Sequence, residues 1–285
     1  MDRVKLIECP RDALQGIKTF IPTEKKIAYA KSLMQVGFDR IDIGSFVSPK
    51  AIPQMADSGD LLKALDKSSA SSLFSVIVAN RRGAHDAVEY DEVDILGYPF
   101  SISETFQLRN TNATIEKSFE RIADIQAIAI KNNKQLLVYL SMGFGNPYGD
   151  EWNVEIVEKY VSKLYSMGIR LFSLSDTIGV SNPESINYLF SNLIPRFPEV
   201  EFNAHLHTNP DTWEEKVKAA YDSGCRSFDG AINGFGGCPM AKDELTGNMP
   251  MEKLIQYFEQ LSPSIDKENF QVAMHSFTQL DEYLH

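Results

Sequence analysis

Eight short runs rich in β-branched or aromatic residues alternate with segments whose apolar residues recur every three or four positions, and this alternation limits what the chain can fold into. The runs are Val4–Cys9, Arg40–Ser45, Leu73–Val78, Val93–Tyr98, Leu136–Ser141, Leu171–Asp176, Val200–His207 and Ser227–Ile232. Between them, Thr23–Val36, Ile115–Lys131, Val154–Met167, Pro183–Leu193 and Thr212–Ser223 carry the one-sided pattern of helices packed on a sheet. Gly37, Gly168 and Gly224 sit where such helices would close before the next strand. Repeated strand–helix units imply a parallel sheet, and eight of them at a spacing of roughly thirty residues close into a (β/α)8 barrel, the TIM-barrel form of the α/β class. The competing open, doubly wound sheet would carry a glycine-rich phosphate loop after its first strand. The chain reads Cys9-Pro10-Arg11-Asp12-Ala13-Leu14-Gln15-Gly16 there instead. Its 285 residues fit one barrel, and no linker or low-complexity tract divides them, so residues 1–285 are expected to be one catalytic domain.

Composition narrows the function classes. A formal charge of −11 disfavours wrapping nucleic acid, and no apolar run approaches the roughly 18 residues that cross a bilayer. The first residues read directly as a strand, not as a signal peptide, and three cysteines (Cys9, Cys225 and Cys238) are too few and odd in number for a disulfide framework. The expectation is a soluble cytoplasmic protein that engages neither nucleic acid nor membrane.

Catalytic groups of a barrel sit at the C-terminal ends of its strands. Arg11 and Asp12 follow the first strand, Asp42 lies late in the second, and Asp176 ends the sixth. His205 and His207 end the seventh, and Cys238 and Asn248 follow the eighth. Asn203-Ala204-His205-Leu206-His207 is the sharpest local signal, because side chains two apart on a strand share a side and two imidazoles there can bind one ion. Asp12 adds a carboxylate from across the barrel. Two nitrogens, a carboxylate and an amide oxygen form a set that suits magnesium, manganese or zinc. Packing alternatives stand beside each assignment: Asp42 as a turn cap, Cys238 as a buried thiol, Arg11–Asp12 as a surface ion pair.

Longer motifs carry a resemblance. They include Glu8 with Pro10-Arg11-Asp12-Ala13-Leu14-Gln15, Ser45-Phe46-Val47-Ser48-Pro49-Lys50, and Ser175-Asp176-Thr177-Ile178-Gly179-Val180. His205-Leu206-His207, Gly234-Phe235-Gly236-Gly237-Cys238-Pro239 and Gly247-Asn248 follow in order. Through them nearly the whole chain resembles 3-hydroxy-3-methylglutaryl-CoA lyases, among the barrel metallolyases. The resemblance implies cleavage of that thioester to acetyl-CoA and acetoacetate, as in leucine degradation and ketone-body formation, by a homodimer acting on an acyl-CoA substrate. It implies that Asp12, His205, His207 and Asn248 bind a divalent metal, that Arg11 stabilises developing negative charge, that Cys238 is the catalytic cysteine and that Asp176 supports the site. Asp42, Cys238 and His205 are the candidates for acid–base work. Related lyases or aldolases on other 3-hydroxy acids, a condensing synthase and a non-catalytic barrel are the alternatives. The last would be expected to have lost metal ligands, and all four positions are present.

The chain departs from the lyase pattern at several places. Ala13 and Cys9 stand where glycine is usual, Asn146 where cysteine is usual, Thr208 where aspartate is usual, and Asp42 where glutamate is usual. Strain at Ala13, a soft ligand at Cys9 and a lost orienting carboxylate beside His207 are the expected consequences. Cys9 and Cys225 otherwise read as packing cysteines.

Overall fold

The computed structural model describes residues 3–237 and 247–284. Its eight parallel strands are β1 (Lys5–Glu8), β2 (Arg40–Ser45), β3 (Leu73–Ile77), β4 (Ile95–Ser101), β5 (Gln135–Ser141), β6 (Leu171–Ser175), β7 (Glu201–His205) and β8 (Ser227–Gly230). They close in sequence order, with β8 pairing back to β1 from Lys5↔Ser227 to Glu8↔Gly230. The expected (β/α)8 barrel is therefore the fold.

Most of these strands are buried on both faces, as parallel strands covered by helices must be. Helices Ile115–Lys131, Val154–Ser166 and Pro183–Arg196 each begin at a side-chain cap, from Thr114, Asn153 and Asn182 respectively. Their apolar faces and the outer strand faces make the main core, which includes Phe74, Tyr98, Phe100, Phe172 and Phe190. A smaller apolar cluster, Ile77, Ile95, Leu137 and Tyr139, is separate from it.

Three features differ from expectation in ways that bear on the site. The segment after β1 was read without a helix, yet Pro10–Leu14 forms one, with Pro10 at the first turn, where a missing N–H and a fixed φ cost nothing. β4 runs on past Tyr98 through Pro99 to Ser101, paired with β5 throughout; its pairing with β3 ends at Gly97, so the absent proline N–H breaks no ladder on that side. β7 ends at His205, and His207–Thr208 forms a short antiparallel pair with Gly247–Asn248 in which Asn248 lies opposite His207. That ribbon carries a residue from beyond β8 back to the mouth of the barrel.

Candidate metal centre and active site

Three of the four metal-ligand candidates picked out by sequence converge. Ligand atoms of Asp12, His205 and His207 lie within 4.8 Å of one another, although Asp12 is on the first helix and the histidines follow from β7. The imidazole centroids are 5.2 Å apart, and all three residues are buried. A cavity of about 550 Å³ opens over them, lined by Arg11, Asp12, Tyr139, His205, His207 and the polar rim from Arg109 to Asn112.

Hydrogen bonds decide which atom of each donor is available. His207 Nδ1 lies 3.2 Å from the Thr177 carbonyl oxygen, which can only accept, so Nδ1 carries the hydrogen and Nε2 keeps its lone pair. Burial, reinforced by His205, lowers the His207 pKa and favours the neutral ring. Its Nε2 is buried and has no hydrogen-bond partner among the described residues, which leaves its lone pair available to a cation. His205 Nδ1 is 2.9 Å from Asp229 Oδ2, which fixes the ring and leaves Nε2 as its second donor atom. Burial alone would depress the His205 pKa, but the Asp229 hydrogen bond and charge raise it on balance. Burial would raise Asp12, but Arg11 and the two histidines outweigh it and hold the carboxyl at about 2. Ionised oxygen beside two oriented imidazoles fits a divalent cation.

Asn248 sits against the same carboxylate. Its Nδ2 donates to Asp12 Oδ2 at 3.0 Å and to the Phe235 carbonyl at 2.9 Å. Both partners only accept, so the amide nitrogen must face them and Oδ1 is the atom left to meet an ion.

Arg11 is clamped between carboxylates: NH1 reaches Asp12 Oδ1 at 2.8 Å, while Nε reaches Asp42 Oδ2 at 3.0 Å and NH2 bonds the same oxygen. Asp42 is fully buried, is not among the residues lining the cavity, and accepts only from Arg11 among the described residues, with no turn amide bonded to it, so it caps no turn. Burial pushes the Asp42 pKa up, and Arg11 offsets that only partly. Asp176 is buried and is not among the residues lining the cavity. Its Oδ2 accepts from Lys216 Nζ at 3.0 Å and from the Ser181 hydroxyl, and its backbone N–H donates to the His205 carbonyl at 2.9 Å. Lys216 also bonds the His207 carbonyl at 2.8 Å, so the pair braces the backbone of both histidines. Cys238 lies outside the described residues.

Asp229, Thr177 and Lys216 were not singled out by sequence. A signal existed for Asp229, a carboxylate in the middle of a buried strand opposite the equally buried Arg40, whose NH2 lies 3.1 Å from Asp229 Oδ1. Ser227, Asn203 and Ser173 continue this interior polar network, with contacts of 2.8 and 3.0 Å between them.

The departures resolve locally. Ala13 lies within the Pro10–Leu14 helix and is not among the residues with positive φ, so the expected strain is absent. Thr208 turns its hydroxyl to Asn209 and Thr212, while the Thr177 carbonyl orients His207 where a carboxylate was expected to be missed. Asn146 organises its own loop, accepting from the Tyr148 and Asp150 amides. Cys9 and Cys225 are free and buried, as read.

The family model described as HMGL-like matches residues 3–283. The chain belongs to the HMGL-like family. The hydroxymethylglutaryl-CoA lyase of Bacillus subtilis is 33% identical over 252 residues, 88% of this chain and 83% of that protein. The mitochondrial hydroxymethylglutaryl-CoA lyase of Mus musculus is 34% identical over 256 residues, 89% of this chain and 77% of its own length. Among solved HMGL-like structures, the Bacillus subtilis HMG-CoA lyase superposes with a TM-score of 0.91 at 30% identity, covering 99% of this chain and 94% of that one. An HMG-CoA lyase from Acinetobacter baumannii in complex with coenzyme A and 3-methylmalate gives 0.90 at 31%, over 98% and 91%. The carboxyl transferase domain of Rhizobium etli pyruvate carboxylase, at 14% identity and a TM-score of 0.73, shares the fold.

Proposed function

We propose that this HMGL-like chain is a divalent-metal-dependent lyase that splits 3-hydroxy-3-methylglutaryl-CoA into acetyl-CoA and acetoacetate. The observation that carries the reading is the convergence of Asp12, His205 and His207, with a buried, unpartnered Nε2, beneath a cavity of about 550 Å³ that also presents Arg11. Asp12, His205, His207 and the Asn248 amide oxygen would hold the ion. Magnesium or manganese suits this mixed set, and zinc is compatible with it. Bound there, it supplies Lewis-acid polarisation and fixed placement of substrate oxygens.

The chain's own residues then have separable tasks. The substrate's tertiary hydroxyl must give up its proton, and the bond between that carbon and the methylene next to the thioester must break. The hydroxyl carbon becomes the ketone of acetoacetate. The electron pair passes into the thioester enolate, which gains a proton to give acetyl-CoA. Arg11, held charged by Asp42 and Asp12, offers a fixed cation to the enolate oxygen. We assign proton transfer to Cys238, since Asp42 is committed to Arg11 and His205 to the ion. Asp42 and Asp176 then serve as positioning residues. An acyl-CoA substrate, a homodimeric assembly and a cytoplasmic location complete the proposal. No described helix is long and apolar enough to cross a membrane.

The test uses purified protein stripped of metal. Adding magnesium or manganese should restore acetoacetate release from 3-hydroxy-3-methylglutaryl-CoA, and His205→Ala and Cys238→Ala should abolish it. A protein that binds the ion but leaves the thioester intact overturns the substrate while sparing the metal centre.

A further inference from the structure

The glycine turn beyond β8 lies very close to the site. A Cβ on Gly236 would stand 2.6 Å from the Ala13 Cα, and Gly236 has φ +86, so this backbone is pressed on the helix that carries Asp12 and tolerates only glycine. The amides just before the turn are held from elsewhere: Ile232 N donates to Glu8 Oε1 and Asn233 N to Glu252 Oε2, both at 3.0 Å. From Gly234 to Gly237 only Phe235 has a side chain to anchor. Its ring meets Phe277 of the helix Lys267–Thr278 edge-on, centroids 5.7 Å apart, and Phe277 in turn packs on Tyr29 at 5.5 Å. The Phe235 carbonyl is the second acceptor of the Asn248 amide.

These contacts form one line from the last long helix to the metal donors. We propose that Phe277 and Phe235 are positioning residues of the metal centre: Phe277 seats the Phe235 ring, and the Phe235 carbonyl holds the Asn248 amide so that its oxygen is presented beside Asp12. The inference rests on the metal reading above. Without the carbonyl, one Asn248 hydrogen loses its acceptor, the amide is free to rotate, and the ion loses a preoriented oxygen.

Manganese binding, read from the electron paramagnetic resonance signal of the free ion, tests this without turnover. Phe277→Ala and Phe235→Ala should each weaken binding about tenfold, the low end of what supporting partners contribute. Phe235→Tyr, which keeps the ring contact, should bind like wild type. In an Asn248→Ala background neither alanine change should weaken binding further, since its route to the ion is already cut. Circular dichroism reports folding, and if Phe277→Ala does not fold, the half-buried Phe235→Ala decides alone. Folded alanine variants that bind manganese like wild type, or that lose as much affinity in the Asn248→Ala background, overturn the inference and leave the metal centre standing. A wild-type protein that does not bind manganese overturns the metal reading itself, and this inference with it.

Discussion

Among the described residues, His205 belongs to two clusters that could each hold a metal ion, an upper one that lines the cavity and a lower one whose other members do not. The upper joins it to Asp12 and His207; the lower joins it to Cys9 and Asp229. Both are buried, with ligand atoms within 4.8 Å of one another, yet their donors are in different chemical states. In the upper cluster Asp12 is ionised and His207 Nε2 has no partner among the described residues. In the lower, Asp229 is already engaged by His205 and Arg40, and burial together with Asp229, Asp42 and Asp12 pushes the Cys9 thiol well up, so it stays protonated. Proximity of ligand types is therefore not enough; a metal needs donors that no neighbour has neutralised. The lower cluster serves the upper one by fixing the His205 ring.

The comparison can be broken by substitution. His205→Ala should weaken manganese binding by more than about 100-fold, beyond the range of a supporting partner, as read by isothermal titration. Asp229→Asn should weaken it about tenfold by loosening the ring. The same change leaves buried Arg40 without its counter-charge and should cost about 3 kcal/mol in urea unfolding. A wild-type affinity in Asp229→Asn would sever the link between the two layers.

Acid should expose the difference next. The folded Asp12 pKa of about 2 lies below its ordinary 3.8, so its contribution is present above pH 3.8 and lost as pH falls towards 2. That difference is worth ~2 kcal/mol. Metal-free wild type should therefore lose more stability than Asp12→Asn over this window in urea titrations. Equal slopes would mean that Arg11 does not hold the carboxyl ionised. The smallest effect belongs to Cys9→Gly, which should change metal affinity by much less than the roughly tenfold that marks a supporting partner. In the folded wild type the Cys9 thiol should also resist alkylation.

Much of this was legible in the sequence. The strand–helix alternation announced the barrel, and His205-Leu206-His207 with Asp12 announced the candidate donors, because both are read from short local stretches, even though β7 ends at His205 and His207 belongs to the ribbon beside it. The later role of Asp42 was not legible. A late-strand carboxylate reads as a cap or a base until Arg11, 31 positions away, is seen to occupy it. Nor did the sequence show how Asp176 would support the site, since its partner Lys216 lies 40 positions on. The helix at Pro10–Leu14 was missed because five residues are too few to show a period.

The sequence by itself determined the fold class and the candidate donor groups near the strand ends, since these depend on periodicity and on functional groups. Only the tertiary structure decided which donors stay free. Asp229 reaches His205 across 24 residues and Asn248 reaches Asp12 across 236, and such pairings, made by barrel closure and by the ribbon beside β7, set tautomer, charge and amide orientation. Burial in a low dielectric makes each of those pairings strong enough to settle a protonation state, so chemistry at the mouth of the barrel is chosen by neighbours that no local stretch of sequence contains.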